Sequence, residues 1–270
     1  MDFTPAYEYI IHPTKGIQVE VDGDLTAFNA GLLRIGDLKA PSRPVEVLSV
    51  YFDLEGFTNF TRQVDPQLAI PNFISDFTNW IFATLKESLV DDEQENTLWA
   101  ELPFFSKFMG DGILFLWRIH MDSIIGIDRS LTSDKLQEHL QRFLCNIIAS
   151  LYNFCKRYPA FLKAIKGKYV DPPQRLRCGI ARGNVFPIGE GKDFVGPCIN
   201  ICARLQKFHG LSFVFSARGI DASGFNIAFE DIFIEKKASI RGIGEREFVY
   251  VVKKEFELLP EEERPAFETV

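Results

Sequence analysis

The sequence predicts an α+β fold in which a largely antiparallel sheet is flanked by helices. An apolar, β-branched run from Val45 to Phe52 ends at Asp53, which is typical of a buried strand. Two longer segments, beginning near Pro71 and Ser133, repeat apolar residues every three or four positions, as amphipathic helices do. Short apolar segments separated by turn residues complete the pattern, so both strands and helices are expected along the chain.

The elements follow one another at short intervals. Pro71 suits the first turn of the first helix, whose apolar face comprises Phe73, Ile74, Phe77, Trp80, Ile81 and Leu85. A hairpin is predicted from residues 104–108 and 113–117, joined by a Gly110-Asp111-Gly112 turn. The second helix has an apolar face of Leu136, Leu140, Leu144, Ile147, Ile148 and Leu151. Further strands are predicted at 175–181, 212–216, 231–235 and 247–252, with a short helix at 198–208.

Bulk properties narrow the class of protein. The chain has 270 residues and a net charge of -7, so it is a poor candidate for nucleic-acid binding, which depends on Lys and Arg. It has no apolar stretch near the ~20 residues that span a bilayer, and its start does not resemble a signal peptide. The cysteines lack zinc-ligand spacing and are read as core thiols in a reducing compartment. We therefore expect a cytoplasmic protein without nucleic-acid or membrane partners.

The pattern predicts one main domain. We place a catalytic domain at residues 41–254, preceded by an N-terminal extension at 1–40. Residues 255–270 form a C-terminal tail that is acidic and interrupted by proline, so we expect it to be mobile.

Two aspartates stand where strands end. Asp53 closes the apolar run, and Asp111 lies in the turn of the predicted hairpin. Either alone is adequately explained as a helix cap or a turn residue. Facing each other across neighbouring strands, however, they could hold hard divalent cations through carboxylate oxygens.

A second candidate pair is Asn200 and Arg204. On a helix these residues lie one turn apart and share a face. An amide and a guanidinium so placed can bind developing phosphoryl charge. Spacing alone does not distinguish this role from an ordinary exposed helix face.

Motifs in order over residues 45–252 resemble those of class III adenylyl and guanylyl cyclases. They are Val50–Thr58, Lys107–Asp111, Arg177–Val185, Asp193 through Asn200 to Arg204, and Arg241–Glu245. The resemblance implies that family's α+β fold, with a ferredoxin-like core. It also implies an enzyme that turns a nucleoside triphosphate into a 3′,5′-cyclic nucleotide and pyrophosphate.

The resemblance further implies residue roles. Asp53 and Asp111 would bind two divalent cations, Mn²⁺ or Mg²⁺, while Asn200 and Arg204 would stabilise the transition state. Family sites form between two subunits, so we expect a homodimer with two complete sites.

Substrate contacts are implied in the same way. Lys107 and Asp193 match residues that read the base, and Arg241 is the candidate triphosphate contact. Asn184 stands where some relatives place a phosphate-binding Arg, with Arg182 close by. Ile243 replaces a residue that is often basic.

The base is the open question. Lys107 and Asp193 match the pair that reads adenine, which favours ATP. Tyr51 and Phe52 place two large rings beside Asp53, which could favour a smaller pyrimidine, although both rings could equally be core.

The chain also resembles the stand-alone pyrimidine cyclases of bacterial Pycsar anti-phage systems, notably at 52–60, 62–68 and 107–117. That likeness implies UTP or CTP as substrate, with cUMP or cCMP as a second messenger. The messenger would act on a separate effector that is not held in a stable complex.

Three alternatives remain. The chain could be an adenylyl cyclase, or an inactive cyclase-like module that only binds nucleotides. A diguanylate cyclase or polymerase-palm relative would also use two metal carboxylates, but it leaves Asn200 and Arg204 unexplained. A P-loop NTPase is excluded because the phosphate-loop motif is absent from the sequence.

Overall fold

A computed structural model describes residues 6–14, 16–22, 29–39, 41–62, 65–90, 98, 100–119, 132–208, 210–225, 229–262, 264 and 267–269. The chain divides into two compact units. The small unit comprises Met1–Pro44 and Phe186–Val195, and the large unit comprises Val45–Val185 and Gly196–Val270.

The strands are β1 Ala6–His12, β2 Gly16–Asp22, β3 Val45–Glu55, β4 Phe105–Phe108, β5 Gly112–Arg118, β6 Arg175–Ile188, β7 Asp193–Val195, β8 Phe213–Ser216, β9 Phe233–Ile240, β10 Gly244–Val252 and β11 Phe267–Thr269. The α-helices are α1 Phe57–Phe60, α2 Pro66–Leu89, α3 Ser133–Cys155, α4 Tyr158–Ala164, α5 Pro197–Leu205, α6 Phe229–Ile232 and α7 Lys253–Glu257. Short 3₁₀ helices occupy Ala30–Leu33 and Ala222–Gly224.

The large unit is built on one sheet with the strand order β11-β9-β10-β8-β6-β3-β5-β4. Neighbouring strands are antiparallel, except that β6 and β8 run parallel. Helices α2 and α3 contribute buried apolar residues to the same core as the sheet. The predicted α+β class with a mostly antiparallel sheet is therefore confirmed.

Alternation along β3 assigns its two faces. Phe52 and Leu54 belong to the apolar core shared with α2 and α3. Tyr51 and Asp53 point to the opposite face, because successive strand residues alternate. α5 covers this second face, where the Ser49 hydroxyl lies 3.2 Å from Cys198 Sγ. The candidate site therefore lies on the α5 side of the sheet.

The small unit contains a separate hairpin. β1 and β2 are antiparallel, with Ile11 opposite Ile17. The last residues of β6 pair with β7, and Ile188 lies opposite Asp193. Gly189 has a φ of +56°, and a Cβ there would lie 1.4 Å from the carbonyl oxygen of Ile35, so only glycine fits this turn.

Three element predictions need correction. The strand predicted at 231–235 is found at Phe233–Ile240, because Phe229–Ile232 is helical. The first long helix begins at Pro66 rather than Pro71, which lies inside it. The C-terminal tail is not free of the sheet, because Phe267–Thr269 pairs with β9. The helix start at Ser133 is confirmed, and the short helix predicted at 198–208 is found at Pro197–Leu205.

Candidate active site

Strand pairing brings the two predicted metal aspartates to one end of the sheet. Asp53 of β3 lies opposite Gly112 of β5, the residue directly after Asp111. The Asp111 carbonyl accepts a 3.0 Å hydrogen bond from the Leu54 amide, which fixes the turn against β3. Asp53 at the end of β3 and Asp111 in the turn before β5 are thus neighbours.

Asp53 is an unusual residue for its position, because it is charged and only 3% exposed. Burial raises its pKa above the ordinary value. The hydrogen bond and the positive charge of Arg177 oppose that rise, and the negative charge of Asp111 adds to it. A cation between the carboxylates would relieve both the burial cost and the repulsion.

Arg177 is a member of the site to which the sequence motifs assign no role. It lies directly opposite Asp53 across the β3–β6 pair. Its Nε donates a 3.0 Å hydrogen bond to Asp53 Oδ2, and its Nη2 donates to the same oxygen. The Arg177 side chain is 17% exposed, so this is a largely buried ion pair. The sequence does indicate that Arg177 is unusual, because an Arg inside a predicted strand needs a partner for its charge. Which residue is that partner depends on the register of the strands.

Tyr51 lies on the same face as Asp53. Burial, followed by the charges of Asp111 and Asp53, raises the pKa of Tyr51 to about 12. Its ring packs on Gly112, where an added Cβ would come within 2.8 Å of Tyr51 Cε1 and 2.3 Å of the Phe52 carbonyl oxygen. Gly112 is therefore required for the turn that holds Asp111 beside the phenol.

Phe52 is placed differently from the expectation of a base-pocket ring. It is fully buried and makes edge contacts with Phe115 and Phe154 in the core. Since it points away from the face that carries Asp53, the alternative interpretation as ordinary core applies to Phe52.

α5 presents Asn200 and Arg204 on its exposed face, one turn apart. Its buried face packs closely on β6. A Cβ at Gly179 would lie 2.1 Å from the Cys202 carbonyl oxygen, and one at Gly183 would lie 3.1 Å from Cys198 Cβ. Asn200 and Arg204 therefore face away from the sheet, and glycines in β6 fix the depth at which their helix sits.

The turn between β9 and β10 carries Arg241, which is exposed. Gly242 has a φ of +78°, and the Ile243 amide closes the turn with a 2.9 Å bond to the Ile240 carbonyl. A Cβ on Gly242 would lie 3.9 Å from Arg204 Nη2. The Arg241 turn and Arg204 are consequently neighbours, which is suited to binding a polyanion.

Lys107 and Asp193 are the two predicted contacts to the base. Lys107 lies on the edge strand β4 and pairs in register with Leu114. Asp193 begins β7 in the small unit, where its Oδ1 accepts a 2.9 Å bond from the Phe194 amide.

Arg182 is not available as the phosphate contact that Asn184 fails to provide. It donates from Nε to Glu46 at 2.8 Å and from Nη1 to the Gly219 carbonyl at 2.5 Å. The Arg182 side chain is only 12% exposed, so it is a structural residue.

The carboxylates fit divalent cations only if the substrate supplies further ligands. Within the described residues, His, Cys, Asp and Glu form no cluster of three or more that could hold a metal. One buried carboxylate at a strand end and one half-buried carboxylate in the neighbouring turn are nevertheless a typical protein contribution to Mg²⁺ sites that include substrate phosphates.

No family model and no curated protein matches the sequence. Among solved structures, the adenylyl cyclase CyaB from P. aeruginosa is similar at 12% identity and a TM-score of 0.51, covering 79% of this chain and 96% of that chain. A bacterial light-regulated adenylyl cyclase (15% identity, TM-score 0.46) is covered over 53% of its length by 80% of this chain. The catalytic core of a rhodopsin-guanylyl cyclase with converted specificity (15%, TM-score 0.45) is covered over 98% by 79% of this chain.

The first of these likenesses shows that the chain shares the fold of that adenylyl cyclase. Among the described residues, no helix is long and apolar enough to cross a bilayer.

Proposed function

We propose that this protein is a nucleotidyl cyclase. The observation that carries the proposal is the pairing of Asp53 with the Asp111 turn, within a fold similar to that of an adenylyl cyclase. The 3′-oxygen of a nucleoside triphosphate attacks the α-phosphorus of the same molecule. The bond between the α-phosphorus and the oxygen that bridges the α- and β-phosphates breaks, so pyrophosphate leaves, and the 3′-hydroxyl gives up its proton.

Each predicted site residue has a proposed role in the reaction. Asp53 and Asp111 would hold two divalent cations, Mn²⁺ or Mg²⁺, which would acidify the 3′-hydroxyl and neutralise the phosphates. Asn200 and Arg204 donate hydrogen bonds to the α-phosphate as its charge develops, and Arg241 contacts the departing pyrophosphate. Lys107 and Asp193 recognise the base.

We further propose that the active form is a symmetric homodimer. Asn200 and Arg204 face away from the sheet that carries Asp53. This orientation supports a site in which they act on a nucleotide held by the carboxylates of the partner subunit. The partner's nucleotide would then lie between the two copies.

For the substrate we propose a pyrimidine, UTP slightly before CTP. The product would be a second messenger in anti-phage defence, made in the cytoplasm. The Tyr51 phenol lies beside the two carboxylates, which supports a contact to the base or sugar. Phe52 is fully buried, so we propose no contact between it and the substrate.

A competition tests the activity and the base together. The protein is incubated with equal ATP, GTP, CTP and UTP plus Mn²⁺, and cyclic products are measured by mass spectrometry. Dominant cUMP or cCMP supports a pyrimidine cyclase, and dominant cAMP replaces the pyrimidine assignment with an adenylyl cyclase. Absence of every cyclic nucleotide, with folded protein, contradicts catalysis.

The residue roles have their own test. Asp111→Asn and Arg204→Ala should each abolish product formation, and mixing the two variants should restore up to one working site per heterodimer. Failure of the mixture, once subunit exchange has been demonstrated, contradicts the shared site.

A further inference from the structure

We propose that Arg177 strengthens the dependence of divalent-cation binding on the nucleotide, beyond the ligands that the substrate phosphates supply. The inference rests on the proposed function, since it assumes that Asp53 and Asp111 are the cation ligands. It concerns a residue that this function leaves without a role.

The geometry gives Arg177 a fixed place at the site. It lies in register with Asp53 across two central strands, and both of its hydrogen bonds go to Asp53 Oδ2. With 17% of its side chain exposed, its charge is poorly screened by solvent. A cation that binds through Oδ1 does not have to displace these bonds.

The charge balance follows from that placement. Two carboxylates alone would offer a cation a doubly negative site, but Arg177 reduces this to a single negative charge. Lys207, exposed beyond the end of α5, adds a further and more screened positive charge near Asp53. Glu55 does not reverse the balance, because it pairs with Arg175 at 3.7 Å.

A divalent cation that enters alone therefore meets a site already largely neutralised. A nucleoside triphosphate brings several negative charges and restores the attraction. Nucleotide and cation should thus each increase the affinity for the other, because linkage is reciprocal. Arg177 also compensates buried Asp53 in the cation-free protein, so the fold does not need the metal.

The test measures Mn²⁺ binding rather than turnover. Free Mn²⁺ is followed by electron paramagnetic resonance at pH 8, with and without 3′-deoxy-UTP, which cannot cyclise. We expect Arg177→Gln to bind Mn²⁺ at least about ten-fold more tightly than wild type without nucleotide, and to show a nucleotide enhancement smaller by about the same factor. The enhancement that remains comes from the phosphate ligands, and Mn²⁺ bound by the nucleotide alone is subtracted with a protein-free titration. Arg177→Lys keeps the charge and should resemble wild type.

Arg182→Gln is the matched control. Arg182 lies on the same strand, is similarly buried and is paired with Glu46, but it is not bonded to Asp53. It should lower thermal stability without changing Mn²⁺ affinity. Arg177→Met replaces Arg177→Gln if the latter does not fold.

The outcomes separate the two proposals. If Asp53→Asn binds Mn²⁺ and nucleotide as wild type does, the cation site itself is wrong and the inference falls with it. If Asp53→Asn loses binding while Arg177→Gln matches wild type in both conditions, only the role of Arg177 is overturned. An equal effect of Arg182→Gln would also overturn it, because a general loss of strand stability would then suffice.

Discussion

Replacing Gly179 by alanine should disturb the helix that carries Asn200 and Arg204. A Cβ at this position would lie 2.1 Å from the Cys202 carbonyl oxygen and 2.8 Å from the Gln206 amide nitrogen, both backbone atoms of the helical segment. Cβ atoms essentially never come within 3.0 Å of such atoms, so β6 and α5 must separate by about 0.9 Å. No side-chain rotation can absorb this.

Both stability and activity should respond. Overpacking of this kind costs about 1–3 kcal/mol. For a domain of this size the loss corresponds to a decrease in Tm of roughly 2–12 °C, measurable by circular dichroism. A displacement near 1 Å of groups that act on the transition state can cost on the order of 100-fold in rate. We expect the rate of cyclic-nucleotide formation to fall by about that factor in the folded variant.

Gly183→Ala provides the comparison on the same strand. Its Cβ would meet Cys198 Cβ at 3.1 Å and Sγ at 3.5 Å, so a side chain needs to move by only a few tenths of an ångström. The losses should be distinctly smaller. Equal losses in the two variants, or wild-type Tm and rate for Gly179→Ala, would refute the packing argument.

Three further predictions follow from the site. The folded protein keeps the Tyr51 proton at pH values where the unfolded chain, with the usual pKa of 10.0, loses it. The resulting contribution to the free energy of unfolding is complete below pH 10 and is lost as the pH rises to about 12. Tyr51→Phe should therefore flatten that part of a curve of unfolding free energy against pH. Phe52→Leu should cost about 1–3 kcal/mol in urea unfolding and leave the ratio of cyclic products unchanged, whereas a changed ratio would return Phe52 to the base pocket. Asp53→Ala should cost about 3–5 kcal/mol, because it strands Arg177, while Asp111→Asn should abolish activity with nearly wild-type Tm.

The regular elements were largely predictable because apolar periodicity reflects burial. The start of α2 was not. Pro66 and Pro71 both suit a first helical turn, and nothing local distinguishes them. The structure starts the helix at Pro66, so Pro71 forgoes one backbone hydrogen bond inside it. Packing of the helix on the core outweighs that loss, and packing is not visible in a local pattern.

The site shows a similar division. Asp53 and Asp111 could be found because charged residues interrupt apolar strands. Tyr51 and Phe52 could also have been separated, because only Tyr51 shares a face with Asp53 under strict alternation. The partnership of Arg177 with Asp53 requires the register of two strands more than 120 residues apart, as their separation of 124 shows. Register is a property of the assembled sheet, so sequence alone could not supply it.

The proposed dimer gives neighbouring residues of β6 to different active sites. Arg177 bonds to Asp53 and belongs with the carboxylates, whereas Gly179, two residues on, seats α5 and belongs with Arg204. If a partner's α5 completes each site, Gly179→Ala should be rescued by mixing with Asp111→Asn but not with Arg204→Ala. If each chain completed its own site, neither mixture would restore activity. Product yield from the two mixtures, measured after subunit exchange, therefore decides whether each site takes its carboxylates and its α5 from one chain or from two. The test works because Gly179 acts through the packing of α5, although it lies only two residues from Arg177.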